Sequence, residues 1–170
     1  MASTSFTAFS KLRATTLNDA FPKGILYRAK RSAAKTTITT ESGVVRLDGI
    51  ATVGGRSYKV TTGSMKTPST NNEAAQVTAF LRVDTTGAAA TTASTVFGEA
   101  RITTLATNGA GAGVVEFTYH APSNQTLSVL LTVTRTAGAG TISAAGPDGV
   151  GAEIQVEDLG FTITNTGVDI

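Results

Sequence analysis

The sequence predicts an all-β fold, a jelly-roll-like antiparallel β-sandwich with an extended basic N-terminal arm, and three observations carry that expectation. About 30 of the 170 residues are Thr and about 25 are Ala, with Gly 18, and a mixture of β-branched residues and turn-forming glycines favours strands over helices. From Ile25 onward the apolar residues recur with period two, which places them on one face of a strand. Turn signals separate these runs roughly every 8–15 residues, the spacing of an all-β sandwich or barrel with about eight to ten strands. A Greek-key sandwich of other topology is the alternative to the jelly roll.

Residues 1–24 read as the arm and 25–170 as the body. The arm carries small polar residues, scattered Phe and basic charges, and closes on the turn signal Phe21-Pro22-Lys23-Gly24. A short helix from Ser10 to Ala20 is one option for it, and an extended segment that orders on a partner is another. Ile25-Leu26-Tyr27 opens the body, followed by a Thr-rich stretch around Ile38 and then by Val45, Leu47, Ala51 and Val53 in alternation. Gly54-Gly55 before Arg56-Ser57-Tyr58-Lys59-Val60 signals a hairpin spanning about residues 45–62. Residues 63–72, with Pro68 and Asn71-Asn72, read as a surface loop.

Val77, Ala79, Leu81 and Val83 then face inward, opposite Thr78, Phe80, Arg82 and Asp84. After a Gly/Ala/Thr loop at 87–95, Val96, Ala100 and Ile102 alternate with Phe97, Glu99, Arg101 and Thr103. Asn108 to Gly113 reads as a glycine-rich turn, Val115, Phe117 and Tyr119 as a further inward set, and Leu127, Val129, Leu131 and Val133 as the cleanest alternation, with Ser128, Leu130, Thr132 and Thr134 behind it. Gly138 to Gly151 is rich in turn residues, and Ile154 with Val156 opens a last strand toward Phe161 and Ile163. Phe80, Phe97 and Leu130 fall on outer faces, where they are either isolated exposed apolar residues or a subunit seam.

Charge is segregated along the chain. Residues 1–35 hold Lys11, Arg13, Lys23, Arg28, Lys30, Arg31 and Lys35 against Asp19, a sum of 7 − 1 = +6, while the remainder sums to 7 − 11 = −4. A basic terminal segment suits nucleic acid, an acidic membrane or an acidic protein surface; the expectation favours protein, with no direct nucleic-acid binding and no membrane. No window approaches the roughly 20 apolar residues of a membrane span, and the N-terminus lacks the pattern of a Sec signal.

Chemistry is sparse. The absence of Cys excludes disulfides, Cys-containing zinc sites and thiol catalysis, and one His excludes a multi-histidine metal site. His120 has no local nucleophile and acid arranged around it in sequence. Gly109-Ala110-Gly111-Ala112-Gly113 lacks the strand–loop–helix context of a dinucleotide site, and Glu153 and Glu157 would lie about 13 Å apart on a strand, too far to share one cation. The chain is therefore expected not to be an enzyme, with no catalytic, cofactor or metal residues and no small-molecule substrate.

Three segments carry a resemblance: Val45-Arg46-Leu47-Asp48-Gly49 with Gly55-Arg56-Ser57-Tyr58-Lys59-Val60; Leu81-Arg82-Val83-Asp84-Thr85-Thr86-Gly87 with Ala90-Thr91-Thr92-Ala93-Ser94-Thr95; and Ile154-Gln155-Val156-Glu157-Asp158-Leu159-Gly160. Over roughly residues 40–162 the chain resembles small virion-surface proteins of tailed bacteriophages, described as minor tail or capsid-decoration proteins, whose Val-Glu-Asp-Ile-Gly ending has Leu159 in the Ile position here. The resemblance implies a jelly-roll module, commonly trimeric, displayed on a virion assembled in the host cytoplasm and bound to major capsid or tail proteins. The arm lies outside the resemblance; the assembly residues expected from the chain's own charge and strand pattern are Phe6, Phe9, Lys11, Arg13, Phe21, Lys23, Arg28, Lys30 and Arg31 in the basic region, and Phe80, Phe97 and Leu130 on the body. A host-attachment adhesin or carbohydrate-binding module is the alternative.

Overall fold

A computed structural model describes residues 22–69, 75–104, 110–146 and 151–161. They form twelve strands: β1 (Gly24–Lys30), β2 (Lys35–Ile38), β3 (Ser42–Thr52), β4 (Arg56–Thr62), β5 (Met65–Pro68), β6 (Gln76–Asp84), β7 (Thr95–Thr103), β8 (Ala110–Gly113), β9 (Glu116–His120), β10 (Gln125–Ala137), β11 (Ile142–Ala144) and β12 (Glu153–Phe161). Eight long strands make two antiparallel sheets, ordered β1-β12-β4-β9 and β3-β10-β6-β7. The short strands pair as β2·β11 and β5·β8, and bridges from Lys66 to Ala145 and from Ser69 to Ile142 join the two pairs.

One rule relates these pairings. β1 pairs with β12, β2 with β11, β3 with β10, β4 with β9, β5 with β8 and β6 with β7. The chain is thus a single long hairpin whose tip is the β6–β7 connection, closed into two sheets by the added ladders β12·β4 and β10·β6. Each short strand lies where an arm of that hairpin passes between sheets, so the four cap one end of the sandwich. The opposite end carries the start of β1, the end of β12 and the connections 53–55, 85–94 and 121–124.

The alternation drawn from the sequence fills the core. Val60, Val77, Ala79, Leu81, Leu127, Val129, Leu131, Val133, Ile154 and Val156 all pack in one cluster, fed by both sheets. Sheet edges are closed by side chains, as exposed edges require: the Tyr27 hydroxyl accepts from the Ala51 amide at 3.2 Å, and Arg31 Nη1 donates to the Val44 carbonyl at 3.2 Å.

Several expectations are corrected. β3 and β4 are joined by a tight turn yet belong to different sheets, so residues 45–62 are no hairpin. The turn spends its backbone bonds on the 121–124 loop instead: Gly55 N donates to Ala121 O at 2.8 Å, and Gly54 N to Asn124 Oδ1 at 2.8 Å. Gly54 is needed there, because a Cβ would stand 2.9 Å from Ser123 Cα. Ile50 and Thr52, rather than Ala51 and Val53, turn inward: the pairing steps from Leu47↔Val129 to Ile50↔Leu127, and the extra residue is absorbed at Gly49, whose φ is +73°. The 63–72 loop contains strand β5, with Met65 and Thr67 fully buried. The 108–113 turn contains β8, where a Cβ on Gly111 would meet Thr103 O at 2.4 Å.

Candidate functional site

Five of the twelve residues expected to mediate assembly, Phe6, Phe9, Lys11, Arg13 and Phe21, lie outside the described residues. The body accounts for the rest. Lys23 is exposed just before β1, while Arg28 and Lys30 point to solvent from β1 and Arg31 follows it. Arg28 binds Glu153 at 2.5 Å, and Arg31 is committed to the Val44 carbonyl. Arg28, Lys30, Arg31 and Lys35 therefore belong to the body or its immediate continuation, and residues 1–24 keep Lys11, Arg13 and Lys23 against Asp19, a net 3 − 1 = +2.

Of the three residues expected on an outer face, Phe80 and Leu130 share the outer face of the second sheet, whereas Phe97, 39% exposed, does not lie with them. Leu130 does face away from the core, standing in register between Arg46 of β3 and Arg82 of β6, but it is only 8% exposed. The β6–β7 connection folds back over this face: the Ala90 amide donates to Ser128 Oγ at 2.8 Å, and Arg82 Nη1 donates to Ser94 O at 2.8 Å. The Arg82 guanidinium also stacks 5.3 Å from the centre of the Phe80 ring. Phe97 is turned the other way. The β6·β7 register shifts between Leu81 and Arg82, so Val96 takes the outward place opposite Arg82, and the Phe97 ring lies 5.3 Å from Phe117 and 5.9 Å from Tyr119 across the gap between sheets.

Glu41 locks this face. It receives Arg82 Nε at 2.5 Å and Nη2 at 2.8 Å and the Thr132 hydroxyl at 2.6 Å. The hydrogen bond from Arg82 is the chief cause that holds its carboxyl below the ordinary glutamate range. A depressed folded-state pKa stabilises the fold above the unfolded value of about 4.3 and loses that contribution as pH falls through the folded value. Glu41→Gln is accordingly expected to lower stability by about 1 kcal/mol at pH 7, with the difference from wild type shrinking as pH falls below the ordinary glutamate range, measured by urea unfolding along an acid pH series.

Exposed apolar surface gathers elsewhere. At the end of the sandwich where β1 begins and β12 ends, Ile25 (60% exposed), Leu26, Leu159, Phe161 and Val53 account for five of the eight large exposed hydrophobic residues described. A bulge sets both Ile25 and Leu26 opposite Glu157, and a second shift between Asp158 and Gly160 brings Phe161 beside Arg56, whose guanidinium lies 5.0 Å from the ring centre. The sequence does carry a signal for this corner, since Leu159 and Phe161 are out of phase with Ile154 and Val156.

Two polar features complete the surface. Ser57 Oγ and His120 Nδ1 stand 2.8 Å apart on paired strands β4 and β9, next to the Lys59–Glu116 ion pair at 2.8 Å. At the capped end, a depression of about 370 Å³ is lined by Gln76, Thr78, Arg101, Ile102, Thr103 and Thr136. It offers hydroxyls, an amide and a guanidinium, but no aromatic face. No group of three or more His, Cys, Asp or Glu side chains suited to a metal occurs among the described residues, and no described helix is long and apolar enough to cross a membrane. No family model matches the chain, and no curated protein matches its sequence.

Proposed function

We propose that this chain is a non-enzymatic structural protein of a tailed-bacteriophage virion: a surface-displayed jelly-roll module, a capsid-decoration or minor tail protein, anchored to neighbouring virion subunits by its N-terminal arm and assembled as a homotrimer. The observation that carries the reading is the nested pairing of the strands. An eight-stranded hairpin rolled into two sheets is the jelly-roll plan, which recurs in viral capsid domains; by itself it gives an analogy of fold. The sequence resemblance and the apolar corner at the root of the arm add support.

Deleting residues 1–21 leaves β1 whole and is expected to abolish incorporation into particles, scored by the protein content of purified virions. The full chain should have a mass of about 52 kDa by light scattering, three times 17.3 kDa, and the truncated body should keep a far-UV spectrum of β-structure and the same threefold multiple of its own, smaller chain mass. Incorporation at the wild-type level would overturn the anchoring role.

A carbohydrate-binding module is favoured by one observation, the hydroxyl-lined depression holding Arg101, which suits hydrogen bonding to a sugar that bears a carboxylate. On that reading a glycan array gives signal that Arg101→Ala removes. A blank array leaves the structural role in place.

A further inference from the structure

We infer that the apolar corner formed by Ile25, Leu26, Leu159 and Phe161 is the seat of residues 1–21 of the same chain, so that in the free protein the arm is docked on its own body. These four are half of the eight large exposed apolar side chains described, and Val53 lies at the same end of the sandwich. The chain outside the described N-terminus is 21 residues long, ends at this corner, and contains Phe6, Phe9, Leu12, Leu17 and Phe21.

Tethering decides between this occupant and a second copy. Four Cα steps separate Phe21 from Ile25, and at 3.80 Å per step its Cα lies within about 15 Å of that of Ile25. Ile25 and Leu159 sit on adjacent strands, which run about 4.8 Å apart, and Phe161 follows Leu159 by two residues. Phe21 is therefore held within reach of the patch. Gly24, with φ +70°, supplies a turn at the root. A segment joined this closely meets its seat at an effective concentration in the millimolar range, above that of any free second copy in dilute solution. Charge agrees in sign: Lys11 and Arg13 on the arm, Glu157 opposite Ile25 on the body.

The inference stands independently of the virion reading and gives it a consequence. An arm that leaves its seat to grip a neighbour also bares an apolar corner at the same end, so one release presents two contact elements.

Trypsin cleavage after Lys11 and Arg13 of the full chain tests the inference, because cleavage of a docked segment follows the fraction undocked. Ile25→Ser with Leu159→Ser is expected to speed cleavage about tenfold or more, with the wild-type rate unchanged across a hundredfold range of protein concentration. A second readout does not rely on that variant folding: deletion of residues 1–21 should raise the fluorescence of an apolar dye such as ANS, by exposing the corner. Equal cleavage rates in wild type and a folded variant would overturn the inference. So would protection that grows with protein concentration, which would place a second copy on the seat, or an unchanged dye signal after deletion. Particle incorporation is a separate measurement, so the failure of either proposal is recognised without the other.

Discussion

Asp158→Ala is expected to destabilise the protein by about 3–5 kcal/mol, the range for removing one partner of a buried ion pair. Asp158 is 1% exposed and Arg56 2%. The Asp158 carboxylate takes Arg56 Nη2 at 2.6 Å and Nε at 3.1 Å, and accepts the Gly160 amide at 2.8 Å. Alanine leaves a guanidinium without its counter-charge and a backbone amide without its acceptor, and both costs fall on buried groups. The pair also ties the end of β12 to the start of β4, the point at which one half of the rolled hairpin is fixed to the other. The double replacement Arg56→Met with Asp158→Leu removes both charges together and should recover much of the loss, because an apolar pair of similar volume avoids the desolvation of two ions. Urea unfolding of the single and double variants reads both effects. A loss below about 1 kcal/mol for Asp158→Ala would show that water reaches the pair and screens it.

Nothing in the local sequence joins Arg56 to Asp158, which are 102 positions apart, and this marks where sequence reasoning ends. Period-two alternation identified the inward residues of β6, β10 and β12, because each run is long and one of its faces is buried. It failed where one residue is added: Gly49 moves Ile50 inward in place of Ala51, and the shift at Leu81/Arg82 turns the Phe97 ring toward Phe117 and Tyr119 of the other sheet while leaving it 39% exposed. A one-residue slip exchanges the faces of a strand, and the glycines that permit it resemble ordinary turn glycines in sequence. Gly54-Gly55 marked a turn correctly but not its partner, since a turn between two sheets and a turn within one use the same residues. The short strands β5 and β8 were hidden by Pro68 and the glycines of 109–113, which read as loop until Gly111 is seen to lie against Thr103. The apolar corner escaped for a related reason: Ile25-Leu26 looks like the start of a buried strand, and only the bulge opposite Glu157 shows both residues facing outward.

The two adjacent leucines at the middle of β10 test the assignment of its faces. Leu131 is fully buried, in register with Leu81 of β6 and Val45 of β3 at the centre of the shared core. Leu131→Ala is expected to cost about 2–5 kcal/mol, through lost transfer energy and the cavity left in a core held by strands on both sides. Leu130 is not part of that core cluster. Its methyl groups rest where Gly43 leaves room, a Cβ there standing only 3.4 Å from Leu130 Cδ1, and the long side chains of Arg46 and Arg82 flank it. Such stems cover apolar surface while their charged heads stay in water. Leu130→Ala should therefore cost about 1.5–3 kcal/mol in the isolated chain, less than Leu131→Ala but well above the change at an exposed site. Were Leu130 a seam residue bare until subunits meet, its truncation would leave the unfolding of a monomer unchanged and act only on association. Thermal unfolding of both variants at two protein concentrations separates these outcomes. A concentration-independent loss for Leu130→Ala assigns the residue to the fold of the single chain, with Glu41, Arg82 and the β6–β7 connection as its cover.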